Sequence, residues 1–210
     1  MSEQSALYLA VIDGDTPTAL AEVNGLLAQN VPPQNIMEQY LIPAMGEVGK
    51  RFEENEFFVP ELLIAARAMQ ESMKILNPLL KTSGVVKAGR VVIGTVQGDL
   101  HDIGKNLVAA MLEGGGFEVV DLGVDVAPEK FVTAAQEQVG TIIALSALLT
   151  TTMPQMKKVI EALRAAGIRE QAKVMIGGAP VTPEFATEIG ADGYSENAST
   201  AVALARRLAA

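Results

Sequence analysis

The chain has 210 residues, 49% of them hydrophobic, and a formal net charge of -9 at pH 7. This length accommodates one large domain or two small ones, and the hydrophobic content predicts a globular chain rather than a disordered one. The sequence has no basic stripe of the kind that displaces counterions from nucleic acid. It also has no cysteine, which excludes disulfides, thiolate metal sites and cysteine nucleophiles.

The lengths of the apolar runs and the first residues of the chain indicate where in the cell the protein is expected. The longest apolar runs fall far short of the roughly 20 residues that span a bilayer. Residues 1–5 lack the basic segment with which a signal peptide begins. We therefore expect a cytoplasmic, soluble protein that binds neither a membrane nor nucleic acid.

Residues 1 to about 83 have only helical patterns. Asp15 followed by Pro17 is typical of a helix start, with a capping side chain and then a proline early in the helix. Helical periodicity covers residues 19–29, about 34–55 and 61 to about 81. Pro43 should bend the middle helix, and residues 57–60 should break the chain before the last. Short connections between the helices predict an antiparallel four-helix bundle.

The pattern changes after a linker near residues 81–84. Mostly continuous apolar runs follow, as expected of parallel strands that are buried on both faces. These runs cover residues 91–96, 118–122, 141–146 and 173–176, with a weak fifth near 192–194. Helical patterns separate them at residues 103–113, 128–138, 154–166, 183–189 and 197–208. The alternation predicts an α/β, doubly wound, flavodoxin-like five-stranded parallel sheet over residues 84–210, after a helical domain over residues 1–83.

The loops at the carboxyl ends of such strands line one edge of the sheet, where ligands of α/β proteins bind. These loops comprise residues 98–104, 146–152, 177–180 and 193–196. The first contains His101, which is the only histidine in the chain. The edge therefore combines one imidazole, carboxylates, a run of hydroxyls, and glycines that let a ligand lie against the backbone.

Each of these features also has a purely structural explanation. A lone histidine in a loop is more often a surface or packing residue than a ligand. Asp99 or Asp102 could cap the following helix, and Ser146 and the threonines after it could form local turn hydrogen bonds. Glycine-rich turns also hold phosphates in nucleotide-binding folds, but no G-x-G-x-x-G follows the first predicted strand.

The combination favours a ligand role for the histidine. Asp99 lies two residues before His101, so its carboxylate can hold one ring nitrogen while the other faces outward. One histidine and no cysteine make an ordinary zinc site a poor match. A metal already held in a macrocycle needs only one axial protein ligand, and the hydroxyls and glycines suit a polar tail on that macrocycle.

Three motifs resemble a known family. Residues 98–106, Gly-Asp-Leu-His-Asp-Ile-Gly-Lys-Asn, resemble the D-x-H-x-x-G signature of cobalamin-binding domains. Residues 146–148, Ser-Ala-Leu, resemble the later S-x-L element, and Gly177 with Gly178 resembles the final G-G pair. Residues 46–66 are similar to the helical cap of methionine synthase. They are even more similar to the cap of free-standing corrinoid proteins of methanol and methylamine methyltransferase systems.

The resemblance implies a role for each matching residue. Cobalamin would bind base-off, with His101 as the lower axial ligand to cobalt and Asp99 hydrogen-bonded to His101. Thr152 takes the place of the serine that completes this relay in methionine synthase; it keeps the hydroxyl and adds a methyl group. Further cofactor contacts are implied on the strand-end loops at Asp102, Ile103, Gly104, Ser146, Leu148, Thr150, Gly177, Gly178, Gly193 and Tyr194. In the helical cap they are implied at Phe58, Leu62 and Met69.

The same resemblance implies a methyl carrier. Cob(I)alamin would accept a methyl group from a donor-specific methyltransferase and become methylcobalamin. A second methyltransferase would then move the group to a thiol or a pterin, such as coenzyme M or tetrahydrofolate. The chain would be the non-catalytic, methyl-carrying subunit, with a reductive activase as a further partner. The cap would have to move for cobalt to be reached, and residues 81–87 are the expected hinge.

Other readings of the motifs stay open. Adenosylcobalamin-dependent mutase subunits carry the same signature, but they work beside a large barrel domain and lack this cap. A cobalamin-dependent light sensor has a similar cap, although a DNA-binding sensor would need a basic module that this chain lacks. A cobalt-free flavodoxin-like receiver or nucleotide-binding protein is the third reading, for which Asp99 and Asp102 form a poor acidic cluster.

Overall fold

The protein is described here by a computed structural model covering residues 5–82 and 88–210. The helices within residues 5–82 form one compact unit, and the strands within residues 90–194 belong to a second. Residues 83–87, which make up most of the expected hinge, lie outside the described residues. In the described parts of the chain, no helix is both long enough and apolar enough to cross a membrane.

The first unit is helical, as predicted. Its helices are α1 (Ala6–Ile12), α2 (Thr16–Ala28), α3 (Pro33–Ile36), α4 (Ile42–Glu53) and α5 (Val59–Thr82). Asp15 caps α2, since its carboxylate accepts a hydrogen bond from the backbone N–H of Thr18 at 3.2 Å. The cap inferred from the sequence is thus present, because a carboxylate at this position satisfies one of the free N–H groups of the first turn.

Two prolines, Pro43 and Pro60, lie in the first turns of helices. Met37–Leu41 form a π-helical segment that joins α3 to α4, and Pro43 lies in the first turn of α4. Proline has no N–H and its ring clashes with the carbonyl four residues earlier, so widening the preceding turn accommodates it without ending the helix. Pro60 similarly lies within the first turn of α5, where no intrahelical N–H is needed, rather than in a break before it.

The second unit alternates strands and helices, as the sequence predicts. In chain order it comprises β1 (Arg90–Thr95), α6 (Ile103–Gly114), β2 (Glu118–Asp121), α7 (Pro128–Gln136), β3 (Ile142–Ser146), α8 (Pro154–Ala165), β4 (Lys173–Gly177), α9 (Pro183–Ile189), β5 (Gly193–Tyr194) and α10 (Ala198–Ala209). All strand pairs are parallel, in the order β2-β1-β3-β4-β5. This is the flavodoxin-like order, and it confirms the predicted fold class.

The register of the sheet sets where the strands end. Thr95 pairs with Ser146, and Ser146 pairs with Gly177, so β1, β3 and β4 end level with one another. The loops that follow these strands therefore leave the sheet side by side. This alignment is the structural basis of the site described below.

Apolar clusters cover both faces of the sheet. One cluster packs Phe131 of α7 with Ile143 of β3 and Ile160 of α8. The other packs Ile93 of β1 with Leu112 of α6 and Leu204 of α10. Because helices bury both faces, the strands are continuously apolar rather than alternating, which is why the sequence pattern predicted them well.

Replacing Phe131 with alanine tests the first cluster. Phe131 is fully buried, and its ring lies against Gly94, where an added Cβ would come within 2.8 Å of it. We expect Phe131→Ala to lower the free energy of unfolding by about 3–5 kcal/mol, because it removes a large buried side chain and leaves a cavity. Urea denaturation measures the loss, with Val139→Ala at a 76% exposed position as control. Equal losses in both variants would contradict this core assignment.

Candidate functional site

The loop between β1 and α6 is anchored to the end of β1. Thr95 is fully buried, and its Oγ1 donates a hydrogen bond to the carbonyl oxygen of His101 at 2.8 Å. Gly98 has a φ of +83°, which allows the sharp turn directly after the strand. The loop therefore folds back so that His101 lies close to the strand from which the loop started.

His101 and Asp99 form a pair within this loop. The Nδ1 atom of His101 lies 2.7 Å from Oδ1 of Asp99, and the backbone N–H of His101 donates to the same oxygen at 3.1 Å. An ionised carboxylate only accepts hydrogen bonds, so Nδ1 carries the proton, and in the neutral ring the lone pair lies on Nε2. The His101 side chain is 51% exposed, whereas that of Asp99 is 0% exposed.

The second oxygen of Asp99 is bound by the loop after β3. Oδ2 accepts a hydrogen bond from Thr152 Oγ1 at 2.7 Å and another from the backbone N–H of Leu148 at 2.8 Å. The structure thus brings Asp99, His101 and Thr152 together in one hydrogen-bonded row. Since residues of two loops share one carboxylate, the imidazole is oriented relative to both loops.

These hydrogen bonds decide the charge of Asp99. Burial by itself would raise the pKa of the Asp99 carboxyl. Hydrogen bonds from the Thr152 hydroxyl, the Leu148 N–H and the His101 ring and N–H outweigh burial and hold that pKa well below its usual range. Asp99 is therefore ionised at neutral pH and can keep Nδ1 of His101 protonated.

The departure of Thr152 from serine leaves its hydroxyl in use. Thr152 Oγ1 donates a hydrogen bond to Oδ2 of Asp99 at 2.7 Å, and a threonine hydroxyl has the same hydrogen-bonding capacity as a serine hydroxyl. The departure from serine does not interrupt the row of hydrogen bonds.

The ends of β3 and β4 approach each other closely at their backbones. Gly178 has a φ of +134°, and a Cβ built on it would lie 1.9 Å from the carbonyl oxygen of Ala147. A Cβ on Gly177 would lie 3.1 Å from the carbonyl oxygen of Ser195. The paired glycines therefore allow backbone-to-backbone packing at the edge where Ser146 ends β3.

Residues at the start of α6 and after β3 are open to solvent. Ile103 is 76% exposed and Leu148 is 42% exposed, and Thr150 is exposed as well. The Asp102 carboxylate accepts a hydrogen bond from the Asn106 side chain at 3.2 Å, and a Cβ on Gly104 would meet nothing within 4 Å. This part of the edge offers exposed apolar side chains beside the imidazole.

The end of β5 is more closely packed. A Cβ on Gly193 would lie 2.6 Å from a terminal methyl group of Leu204, so a larger residue there would displace this α10 side chain. The Tyr194 side chain is partly buried; burial and then the nearby charges of Glu196 and Glu184 raise the pKa of its phenol. Tyr194 thus stays neutral near pH 7 and can donate a hydrogen bond.

The three predicted cap residues lie in the first unit and differ in exposure. Phe58 precedes α5 and is 61% exposed. Leu62 and Met69 of α5 are fully buried. Helical periodicity places Leu62 and Met69 on one face but does not distinguish a core position from a ligand contact.

Four residues of the site were not identified from the sequence motifs. Thr95 holds the carbonyl of His101, and the Asp125 carboxylate accepts a hydrogen bond from the backbone N–H of Gly98 at 2.7 Å. Leu100 and Leu149 are exposed apolar residues on the two loops that surround Asp99. A leucine adjoining a polar motif in a strand-end loop is a signal that could have identified the last two.

Comparisons with known proteins identify the family of the chain. A family model described as a B12 binding domain matches residues 89–203. A second model with the same description matches residues 4–77. Together the two models account for most of the chain, and the first alone covers more than half of it.

Relatives are similar along nearly their whole length. Dimethylamine corrinoid protein 1 of Methanosarcina acetivorans is 46% identical over 202 residues, covering 96% of this chain and 94% of that protein. The trimethylamine corrinoid protein of Methanosarcina barkeri is 43% identical over 196 residues, covering 92% of this chain and 90% of that protein.

Solved structures share the fold. A cobalamin-binding protein from Desulfitobacterium hafniense matches with a TM-score of 0.78 and 35% identity, covering 97% of both chains. The methanol:cobalamin methyltransferase complex of Methanosarcina barkeri contains a chain that matches with a TM-score of 0.85 and 30% identity. That match covers 97% of this chain and 78% of the other.

Asp99→Asn tests the charge of the buried carboxylate. The folded-state pKa lies below the unfolded value of about 3.9, so the stabilisation is fully present above about pH 4 and is lost as pH falls. At pH 7 we expect the variant to be less stable by about 1–3 kcal/mol, because donors lose a charged acceptor. Below pH 4 the difference should shrink.

Urea denaturation of the cofactor-free protein at a series of pH values measures this difference. Asp13→Asn, at an exposed carboxylate of the first unit, is the control and should change stability by less than about 0.5 kcal/mol. A wild-type-to-Asp99→Asn difference that stays constant from pH 7 to pH 2 would contradict the lowered pKa of Asp99.

Gly178→Ala tests the close approach of the two loops. Because the added Cβ would overlap the Ala147 carbonyl oxygen, we expect a loss of about 1–3 kcal/mol from overpacking in addition to backbone strain. Gly167→Ala is the control for a positive φ without crowding: φ is +71° at Gly167 and +134° at Gly178, and a Cβ on Gly167 would meet nothing within 4 Å. Denaturation midpoints compare the two; equal shifts would leave only strain as the cause.

Proposed function

The chain belongs to the B12-binding family of corrinoid proteins, and on that premise we propose that it carries a methyl group on bound cobalamin between two methyltransferases. One observation carries the proposal: His101 is half exposed while Asp99 holds its Nδ1 atom at 2.7 Å. A ring held in this way presents Nε2 as the free ligand atom. No further protein ligand is needed when a macrocycle supplies the other positions.

The residues of the edge fit a corrinoid. The exposed side chains of Leu100, Ile103 and Leu148 lie on the loops around His101 and offer apolar contact to a large flat ring. Gly177 and Gly178 let the neighbouring strand ends pack backbone against backbone, so a polar tail along this edge would meet main chain at these two positions. Among residues 5–82 and 88–210, no cluster of three or more His, Cys, Asp or Glu side chains could hold a metal ion.

The chain supplies ligation and orientation. When bound, the corrinoid supplies the cobalt ion that holds the transferred methyl group. Nε2 of His101 would be the lower axial ligand in place of the cofactor's own base, giving base-off, histidine-on binding. Asp99 would keep the proton on Nδ1 and raise the basicity of Nε2, and Thr152 would keep Asp99 in place.

Other predicted residues receive roles in the same proposal. Residues 84–210 would be the cobalamin-binding, Rossmann-like domain and residues 1–83 the helical cap. The loop residues would enclose the nucleotide tail and the lower ring face; they are Asp102, Ile103, Gly104, Ser146, Leu148, Thr150, Gly177, Gly178, Gly193 and Tyr194. From the cap, Phe58 has the exposure to contact the upper face, whereas Leu62 and Met69 would shape that surface from within the helix packing.

Partners follow from the chemistry and from the relatives. A methyl carrier needs a donor-specific methyltransferase and an acceptor methyltransferase, with coenzyme M or tetrahydrofolate as the acceptor, and a reductive activase to recover oxidised cofactor. Relatives named for dimethylamine and trimethylamine make methylamines the donors to test first. They also favour a carrier over a mutase subunit, a sensor or a cobalt-free receiver. We propose that the protein carries the methyl group in the cytoplasm.

His101→Ala tests the ligand. Hydroxocobalamin bound to the wild-type protein should show a visible spectrum shifted from that of the free cofactor, because an imidazole replaces the axial ligand. The variant should revert toward the water-ligated form. Absorbance spectroscopy on full-length protein after removal of unbound cofactor measures this, and any affinity tag must contain no histidine.

Thr133→Ala is a suitable control, because Thr133 lies on the exposed side of α7 and bonds only the carbonyl of Glu129 among the contacts described. Its spectrum should equal that of the wild type. Identical spectra for the wild type and His101→Ala would show that His101 is not the axial ligand. Failure of the wild type to bind the cofactor would overturn the carrier proposal as a whole.

A further inference from the structure

Asp125, a residue outside the family motifs, is hydrogen-bonded to the backbone of the loop that carries His101. Oδ1 of Asp125 accepts a hydrogen bond from the backbone N–H of Gly98 at 2.7 Å. The backbone N–H of Asp125 donates to the carbonyl oxygen of Asp99 at 3.0 Å. The two bonds bracket residues 98 and 99, and the Asp99 side chain is the one that orients the imidazole.

Asp125 holds this position in an unfavourable backbone conformation. Its φ is +51°, in the left-handed region, which is unfavourable for most residues and is best tolerated by Gly, Asn and Asp. Such a conformation persists where the surroundings determine it. A bulky or β-branched residue here would lose both the conformation and the acceptor that reaches Gly98.

The segment that carries Asp125 is fixed on both sides. Before it, Asp121 forms an ion pair with the buried Lys105 side chain and accepts a hydrogen bond from the N–H of Gly123 at 2.8 Å. After it, the N–H of Val126 donates to the carbonyl of Thr95 at 3.0 Å. Asp125 is therefore a rigid support rather than the tip of a free loop.

The rest of the His101 loop is held at its ends. Thr95 is the last residue of β1, and its hydroxyl holds the carbonyl of His101. Between these anchors, the N–H of Asp99 donates to the carbonyl of Val96 at 3.1 Å, and Asp125 holds two further backbone groups, the N–H of Gly98 and the carbonyl of Asp99. Without this grip, the backbone of Asp99 could shift while its carboxylate stayed attached to Thr152, and the geometry between Asp99 and His101 would change.

We propose that Asp125 is a positioning residue that sets the orientation of His101 through the backbone of Gly98 and Asp99. It acts on the imidazole without touching it, since its hydrogen bonds in the described structure go to the loop backbone. The consequence for cobalt ligation rests on the function proposed above. The consequence for the imidazole itself does not, and it can be measured without cofactor.

The single histidine makes the measurement direct. Full-length protein labelled with ¹⁵N-histidine, free of any histidine tag, gives imidazole signals from His101 alone. Nuclear magnetic resonance at pH 7 then reports exchange of the Nδ1 proton that is bonded to Asp99. Asp125→Gly keeps the left-handed backbone but removes the acceptor, and we expect this proton to exchange roughly tenfold faster, as loss of one hydrogen bond allows.

Two variants serve as controls. Asp125→Asn keeps an acceptor and tolerates the left-handed backbone, so it should restore wild-type exchange and show that charge is not the cause. Asn30→Gly makes the matching change at a left-handed position of the first unit, with φ of +59°, and should leave the imidazole signals unchanged. Should Asp125→Gly not fold, Asp125→Ser, whose hydroxyl is too short to reach Gly98, takes its place.

A second measurement uses the cofactor-loaded proteins and compares how much of the cofactor is bound by histidine. With hydroxocobalamin, Asp125→Gly should contain a smaller histidine-ligated fraction than the wild type, and Asp125→Asn the wild-type fraction. If His101→Ala leaves the spectrum unchanged, the proposed ligation fails, while the exchange experiment still judges Asp125. If Asp125→Gly loses stability but keeps wild-type Nδ1 exchange, Asp125 is only a structural residue and this inference is overturned.

Discussion

The site depends on one buried negative charge. Asp99 is 0% exposed and ionised, and a buried carboxylate is tolerated only when hydrogen bonds replace the water that it has lost. The His101 loop donates to one oxygen, and the loop after β3 donates to the other. The requirement to satisfy this charge brings the two loops together, so the orientation of His101 is tied to the carboxylate.

The sheet makes this arrangement possible. Thr152 lies 53 residues after Asp99, yet the two side chains meet at 2.7 Å. They meet because β1 and β3 are neighbours and end level at Thr95 and Ser146. A parallel sheet turns a long sequence separation into adjacency at one edge, and that is why such edges hold ligand sites in α/β folds.

Features that depend on residues close together in the sequence were predicted well, and features that depend on distant residues were not. Strands and helices were predicted closely because burial on both sheet faces leaves continuous apolar runs, and the local Asp99–His101 pair follows from a separation of two residues. The π-helical segment before Pro43 was not predicted, because a π-helical turn leaves no clear sequence pattern. Asp125 was missed because its partners lie 27 residues or so earlier, across the sheet edge. Phe58 and Leu62 share one expectation yet differ in exposure, because periodicity identifies a face and not its surroundings.

Motif residues and supporting residues have different roles at this site. The motif provides the imidazole and the carboxylate, which are the groups with the chemistry. The supporting residues act on the backbone: Thr95 holds one carbonyl, and Asp125 holds the peptide groups around Asp99. A half-exposed imidazole makes few packing contacts of its own, so its precision must come from the backbone that carries it. A chain with the motif but without these supports would keep the hydrogen bond between Asp99 and His101, but the backbone that carries both residues would be held by fewer hydrogen bonds.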